Sequence, residues 1–140
     1  MGIRENLNIV NRLVVEVWAQ GNTSIIYELL SPEYIYHSPT GQEIKGPKAF
    51  ENMVKSIRSA IPDRIVTVEN YIGEGDELAI QFSSRGTFLG NLQDIKPTGK
   101  SYITRFAIFY RFSEGKIIEE IEYYRQPTFE EQVGIKPQGK

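Results

Sequence analysis

Cysteine is missing from the 140-residue chain, which removes disulfides, thiol nucleophiles and thiolate metal sites and is in keeping with a reducing cytoplasm. Histidine occurs once, so a metal centre would rest mostly on carboxylates, and we expect no metal and no cofactor. No apolar run approaches the ~20 residues a bilayer core demands. The N-terminal MGIRENLNIV also lacks the long apolar core of a signal peptide, so we expect a cytoplasmic protein with no membrane partner. An excess of basic charge is absent as well: 16 Lys and Arg stand against 18 Asp and Glu, which leaves no broad positive field for nucleic acid. Internal repeats and low-complexity tracts do not occur. Gly73-Glu74-Gly75 and Pro97-Thr98-Gly99 lack the glycine spacing and following helix of a phosphate loop and read as turns.

What is present is an ordinary globular composition, 40% apolar and 24% charged, at a length that suits a single domain over 1–140. Ile3, Leu7, Val10, Val14, Val17 and Trp18 recur at spacings of three and four, which predicts an amphipathic helix from Ile3 to Gln20, stopped at Gly21-Asn22. SIIYELL reads as a short second helix and YIYHS as a short strand. Pro47 opens a third helix with its stripe at Phe50, Met53, Val54, Ile57 and Ile61. Beyond Pro62 the period changes to two. RIVTVENYI and ELAIQFSSRGTF are strands joined by a turn, a polar loop follows, and PTFEEQVG closes the chain with a helical turn or two. Three helices followed by four strands predict an α+β fold, a curved, mostly antiparallel sheet wrapped around N-terminal helices with an open end.

The stretch Ser101 to Gln126 organises this reading. Its two arms, crowded with β-branched and aromatic residues, meet at Ser113-Glu114-Gly115-Lys116. Each arm is roughly 33 Å long at ~3.3 Å per residue, long enough that the pair must bend around the helices. Strict alternation in the second arm places Ile117, Ile121 and Tyr123 inward, with Glu119 on the same face, unless a bulge intervenes.

In order along the chain, EVWAQGN, ELLSPEYIYHSP, KGPKAF, IPDRIVTVENYIGEGDELAI, SSRGTF, KPTGKSY and YRFSEGKIIEE resemble the SnoaL-like polyketide cyclase family, within the superfamily of nuclear transport factor and ketosteroid isomerase folds. The resemblance covers almost the whole chain. It implies a cone-shaped, cystatin-like α+β barrel with a mostly apolar cavity for a small apolar molecule, and a homodimer paired through the outer sheet face. It also implies cofactor-free isomerase or cyclase chemistry on a small carbonyl or polyketide-like compound. The family's catalytic aspartate falls here at or beside Arg125, and Phe88 follows Arg85-Gly86-Thr87 where many members carry a histidine. The alternative is a non-catalytic module that binds a small apolar ligand or dimerises on the same scaffold.

Candidate catalytic residues are His37, Glu119 and Arg125. His37 titrates near neutrality and follows Tyr34 and Tyr36; it serves as a general base, or else bonds the Ser38 to Gln42 loop. Glu119 on the presumed inner face would gain a raised pKa by desolvation, although three acids within Glu119 to Glu122 also suit a solvated face. Arg125 offers a planar fork to an oxyanion or pairs with Glu122, Glu130 or Glu131. Trp18, Tyr34, Tyr36, Phe50, Phe82, Phe106 and Tyr123 are the aromatic candidates for lining a ligand cavity. Arg105 interrupts an apolar arm, and alternation leaves open whether it faces the cavity, paired with Glu69 or Glu119, or the outer sheet surface.

Overall fold

Apolar spacing alone drives the first helix. In the computed structural model, which describes residues 2–135, it is α-helical over α1 (Ile3–Arg12). It then widens into a π-helical stretch over Leu13–Ala19, where the Gln20 amide donates to the Val15 carbonyl five residues back. The expected uninterrupted α-helix is corrected to this extent. Gly21, at φ 77°, ends it. A 3₁₀ turn at Thr23–Ile25 leads into α2 (Ile26–Leu29), and β1 (Leu30–His37) starts earlier than YIYHS suggested. The polar loop that follows holds an unforeseen short strand, β2 (Glu43–Lys45), and α3 (Pro47–Ala60) begins at its proline as expected. Strands β3 (Ile65–Glu74), β4 (Glu77–Thr87), β5 (Ser101–Ser113) and β6 (Lys116–Tyr124) precede a short α4 (Phe129–Val133).

Six strands form one open sheet in the order β2-β1-β6-β5-β4-β3: the four expected after the helices, the one at YIYHS and the unforeseen β2. All neighbours are antiparallel except β1 and β6. The parallel pair follows from connectivity: β1 leaves the helices and reaches the last strand only across the whole chain. One face of the sheet packs on the helices. Val10, Leu13, Val17, Ile26, Phe50 and Val54 meet Leu78, Ile80, Phe82, Ile108 and Tyr110 in a single core. The fold is α+β, a curved mixed sheet wrapped over N-terminal helices.

A bulge in β6 decides which side chains enter that core. Arg111 pairs with Glu119 but Phe112 pairs with Ile117, so Ile118 is an extra residue. Ile117 points inward and is fully buried. Beyond the bulge the faces exchange: Glu120 is 3% exposed, whereas Tyr123 is 58% exposed on the outer surface. The strict alternation that put Glu119, Ile121 and Tyr123 inside is therefore reversed.

The turn from α3 into β3 is held against the end of β4. Asp63 accepts from the Thr87 amide at 2.9 Å and from its hydroxyl at 2.8 Å, and the Leu89 and Gly90 amides both donate to the Ala60 carbonyl. At Gly90 a Cβ would lie 2.2 Å from the Ser59 carbonyl oxygen, a backbone atom with no rotamer to yield. Gly90→Ala should therefore lower stability by about 1–3 kcal/mol, read from a urea-unfolding midpoint.

Candidate functional site

Across the inner face, Tyr36 of β1, Glu120 of β6 and Tyr110 of β5 stand side by side on one rung of the sheet, and Glu122 lies on the next, opposite Ile108. Tyr34, fully buried, lies beside them. The two carboxyl groups reach it because β6 has already changed face at Ile118. Burial pushes the Glu120 carboxyl up to about 8, since ionisation there forfeits hydration; neighbouring Tyr34 opposes this and the nearby Glu122 adds to it. The Tyr34 hydroxyl and the Glu120 carboxyl lie close enough to interact, though Oε2 and the hydroxyl are not aligned as a regular hydrogen bond. Burial raises Glu122 too, against the hydroxyl of Tyr36, which donates to it at 2.8 Å, and the positive charge of Arg64. Desolvation holds the Tyr34, Tyr36 and Tyr110 hydroxyls above their ordinary range, so they remain proton donors.

Arg64 borders this set. Its guanidinium lies over the Trp18 ring, 4.7 Å from the centroid, and Trp18 is edge-on to Phe50. Burial lowers its pKa, while Tyr102, Glu122 and Tyr36 act in the opposite sense. Tyr102 itself is buried and hydrogen-bonded to Ser84 at 3.0 Å. Chemically, the interior holds a carboxyl group that burial raises to about 8, a second one bonded to Tyr36, buried tyrosine hydroxyls and a cation at the edge. Among the described residues no group of three or more His, Cys, Asp and Glu side chains is arranged to hold a metal.

Of the aromatic candidates, Trp18, Tyr34, Tyr36, Phe50, Phe82 and Phe106 converge on the core, with Phe82 stacked on Phe106 at 5.2 Å. Tyr123 does not; it lies outside, edge-on to Phe109. His37 and Glu119 do meet, Nε2 to carboxylate at 2.8 Å, but on the outer face, where Glu43 flanks the ring and Arg111 bridges Glu119 at 2.8 Å. His37 thus bonds side chains rather than its loop. Arg105 and Arg125 are exposed and line a small outer concavity of about 160 Å³ with Ile103, Gln126 and Pro127. Arg125 takes none of the expected glutamates in the ion pairs among the described residues. A wider, open depression of about 650 Å³ on the same outer face is lined by Ile72, Phe109, Arg111, Glu119, Ile121 and Tyr123. Sequence reasoning missed Glu120, Glu122, Arg64, Tyr102 and Tyr110. Glu120 and Glu122 carried a signal in their alternate spacing, but it could be used only with the bulge in hand.

Comparison with known proteins agrees with this architecture. The profile of the SnoaL-like polyketide cyclase family matches residues 8–133. A candidate SnoaL-like polyketide cyclase from Jannaschia sp. CCS1 superposes with a TM-score of 0.85 at 20% identity, covering 96% of this chain and 94% of that one. IdmH, a candidate polyketide cyclase from Streptomyces antibioticus, gives 0.77 at 21% identity over 92% and 98%. AclR, a candidate hydroxylase from Streptomyces galilaeus, gives 0.80 at 20% identity over 97% and 89%. Comparison with curated proteins gives no significant match. Since the profile spans nearly the full length and the folds coincide, the chain belongs to the SnoaL-like polyketide cyclase family.

Proposed function

We propose that the protein catalyses cofactor-free proton transfer on a small carbonyl compound, an isomerase or cyclase type of reaction, with Glu120 as the group that moves the proton. The observation that carries this reading is a buried carboxyl group held near 8 against the Tyr34 hydroxyl, on the sheet rung it shares with Tyr36 and Tyr110. In its ionised form Glu120 removes a proton from the carbon next to the carbonyl, and the Tyr34 hydroxyl hydrogen-bonds the enolate oxygen that results. Return of the proton to another carbon completes an isomerisation; attack of the enolate carbon on a second carbonyl of the same molecule closes a ring. Glu122 orients Tyr36 by accepting its hydrogen bond. Because Glu120 is 3% exposed, a substrate enters by parting the incompletely buried side chains around the core, Trp18, Met53, Val66, Val68 and Phe106. The chemistry assigned to His37, Glu119 and Arg125 passes to the inner face, because those three side chains lie across the sheet from it.

With a polyketide-like ketone as substrate, Glu120→Gln should lower turnover by about 10²–10⁴-fold, whereas His37→Ala and Glu119→Gln should leave it within a few-fold. Equal turnover of wild type and Glu120→Gln would remove Glu120 from the reaction, and ligand binding without turnover in the wild type would favour a binding module.

Linkage gives a second expectation. The folded-state pKa of Glu120 lies above its ordinary 4.5, so its contribution to stability is fully present below about 4.5 and is lost as pH rises towards and through about 8. The loss is of order a few kcal/mol at ~1.4 kcal/mol per pH unit. Glu120→Gln, neutral throughout, should flatten the fall in urea-unfolding free energy between pH 5 and pH 8.5.

The outer sheet face supports a homodimer. Ile72, Phe109 and Tyr123 are 74%, 52% and 58% exposed on one side of the sheet, around the wide depression, and a second copy placed there would cover them. Sedimentation velocity should show a dimer that Phe109→Arg converts to monomer without loss of secondary structure; a wild-type monomer at all concentrations would end this proposal.

A further inference from the structure

We propose that Arg64 recognises an anionic group of the substrate, so that the interior selects a carbonyl compound carrying a carboxylate over its neutral counterpart. This deepens the proton-transfer reading and rests on the same interior. Arg64 is partly exposed, and it is absent from the ion pairs formed among the described residues. A guanidinium removed from water needs compensation, and the Trp18 face supplies only part of it. The Asp63–Thr87 hydrogen bonds and the close approach of Gly86 to the Arg64 backbone, 3.3 Å from Cα to an added Cβ, hold the residue at the start of β3; the Tyr102 hydroxyl interacts with its guanidinium, but among the described residues no carboxylate is ion-paired with the fork. Such a fork matches a carboxylate in a planar, two-point contact.

The neighbours set the orientation of the bound molecule. Tyr36 lies within electrostatic reach of Arg64, Glu122 and Glu120 together, so the three charged groups line one stretch of the interior. Tyr36 and Glu120 are adjacent on the sheet, and Glu122 already accepts the Tyr36 hydroxyl. A molecule with its carboxylate on Arg64 and its body across Trp18 would extend past Tyr36 and deliver its carbonyl end to Glu120 and Tyr34. Glu122 is the counter-argument, because an ionised carboxylate there would repel the ligand. Burial, the largest influence on it, favours its neutral form against the opposing effects of the Tyr36 hydroxyl and of Arg64.

Trp18 is the sole tryptophan, so its indole N–H gives one resolved signal in a ¹⁵N-labelled sample, from the ring that Arg64 covers. Titration with 3-benzoylpropanoate and, separately, with its methyl ester should show the acid binding at least about tenfold more tightly. Arg64→Gln should erase that preference by weakening the acid alone, and Arg64→Lys should keep part of it. Glu120→Gln should retain the preference while losing turnover, which separates failure of this proposal from failure of the catalytic one. Equal binding of the two compounds, binding of neither, or an undiminished preference in Arg64→Gln would overturn the assignment; the wild-type comparison decides even if Arg64→Gln does not fold.

Discussion

The insertion of Ile118 into the last strand is the constraint on which the site depends. A strand presents alternate side chains to opposite faces, so one extra residue moves everything beyond it to the other side. In β6 that shift carries Glu120 and Glu122 under the sheet and turns Glu119, Ile121 and Tyr123 towards the outer surface. Two carboxyl groups on the helix-packed side of a sheet are costly, and the structure accommodates them with Tyr36 and Tyr110 on the rung of Glu120 and with the Tyr36 hydroxyl donating to Glu122 on the next.

That accommodation is incomplete in an informative way. Tyr36 satisfies Glu122, but Tyr34 and an oxygen of Glu120 remain without an aligned partner in a region otherwise built of rings. A fully satisfied polar network rigidifies a core, whereas here a donor and an acceptor meet without alignment. Arg64 fits the same pattern at the edge, held by an aromatic face rather than by a carboxylate.

The outer face follows a different logic. His37, Glu119, Arg111 and Glu43 form a chain of contacts in partial contact with water, where each pair is worth little by itself. Beside them lie exposed Phe109 and Tyr123 in mutual contact. These groups stay in contact with water, so the desolvation that shifts the carboxyl groups of the inner face is weaker on this side of the sheet.

Much of the fold was legible in the residues: the helical stripes of α1 and α3, the punctuation at Gly21, Pro47 and Pro62, the long β5–β6 hairpin and the ordered words of the family are local patterns that need no tertiary information. The aromatic interior of Trp18, Tyr34, Tyr36, Phe50, Phe82 and Phe106 was legible for the same reason, since rings of that size seek burial wherever the pattern allows it. The parallel pairing of β1 with β6 and the placement of Arg64 over Trp18 join segments far apart in the chain and leave no periodic trace. Most consequentially, the identity of the buried acids depended on a single unpaired residue. Ile117 and Ile118 are equally apolar, so composition cannot say which of them is the extra one; only the register against β5 and β1 decides that Glu120, and not Glu119, enters the interior.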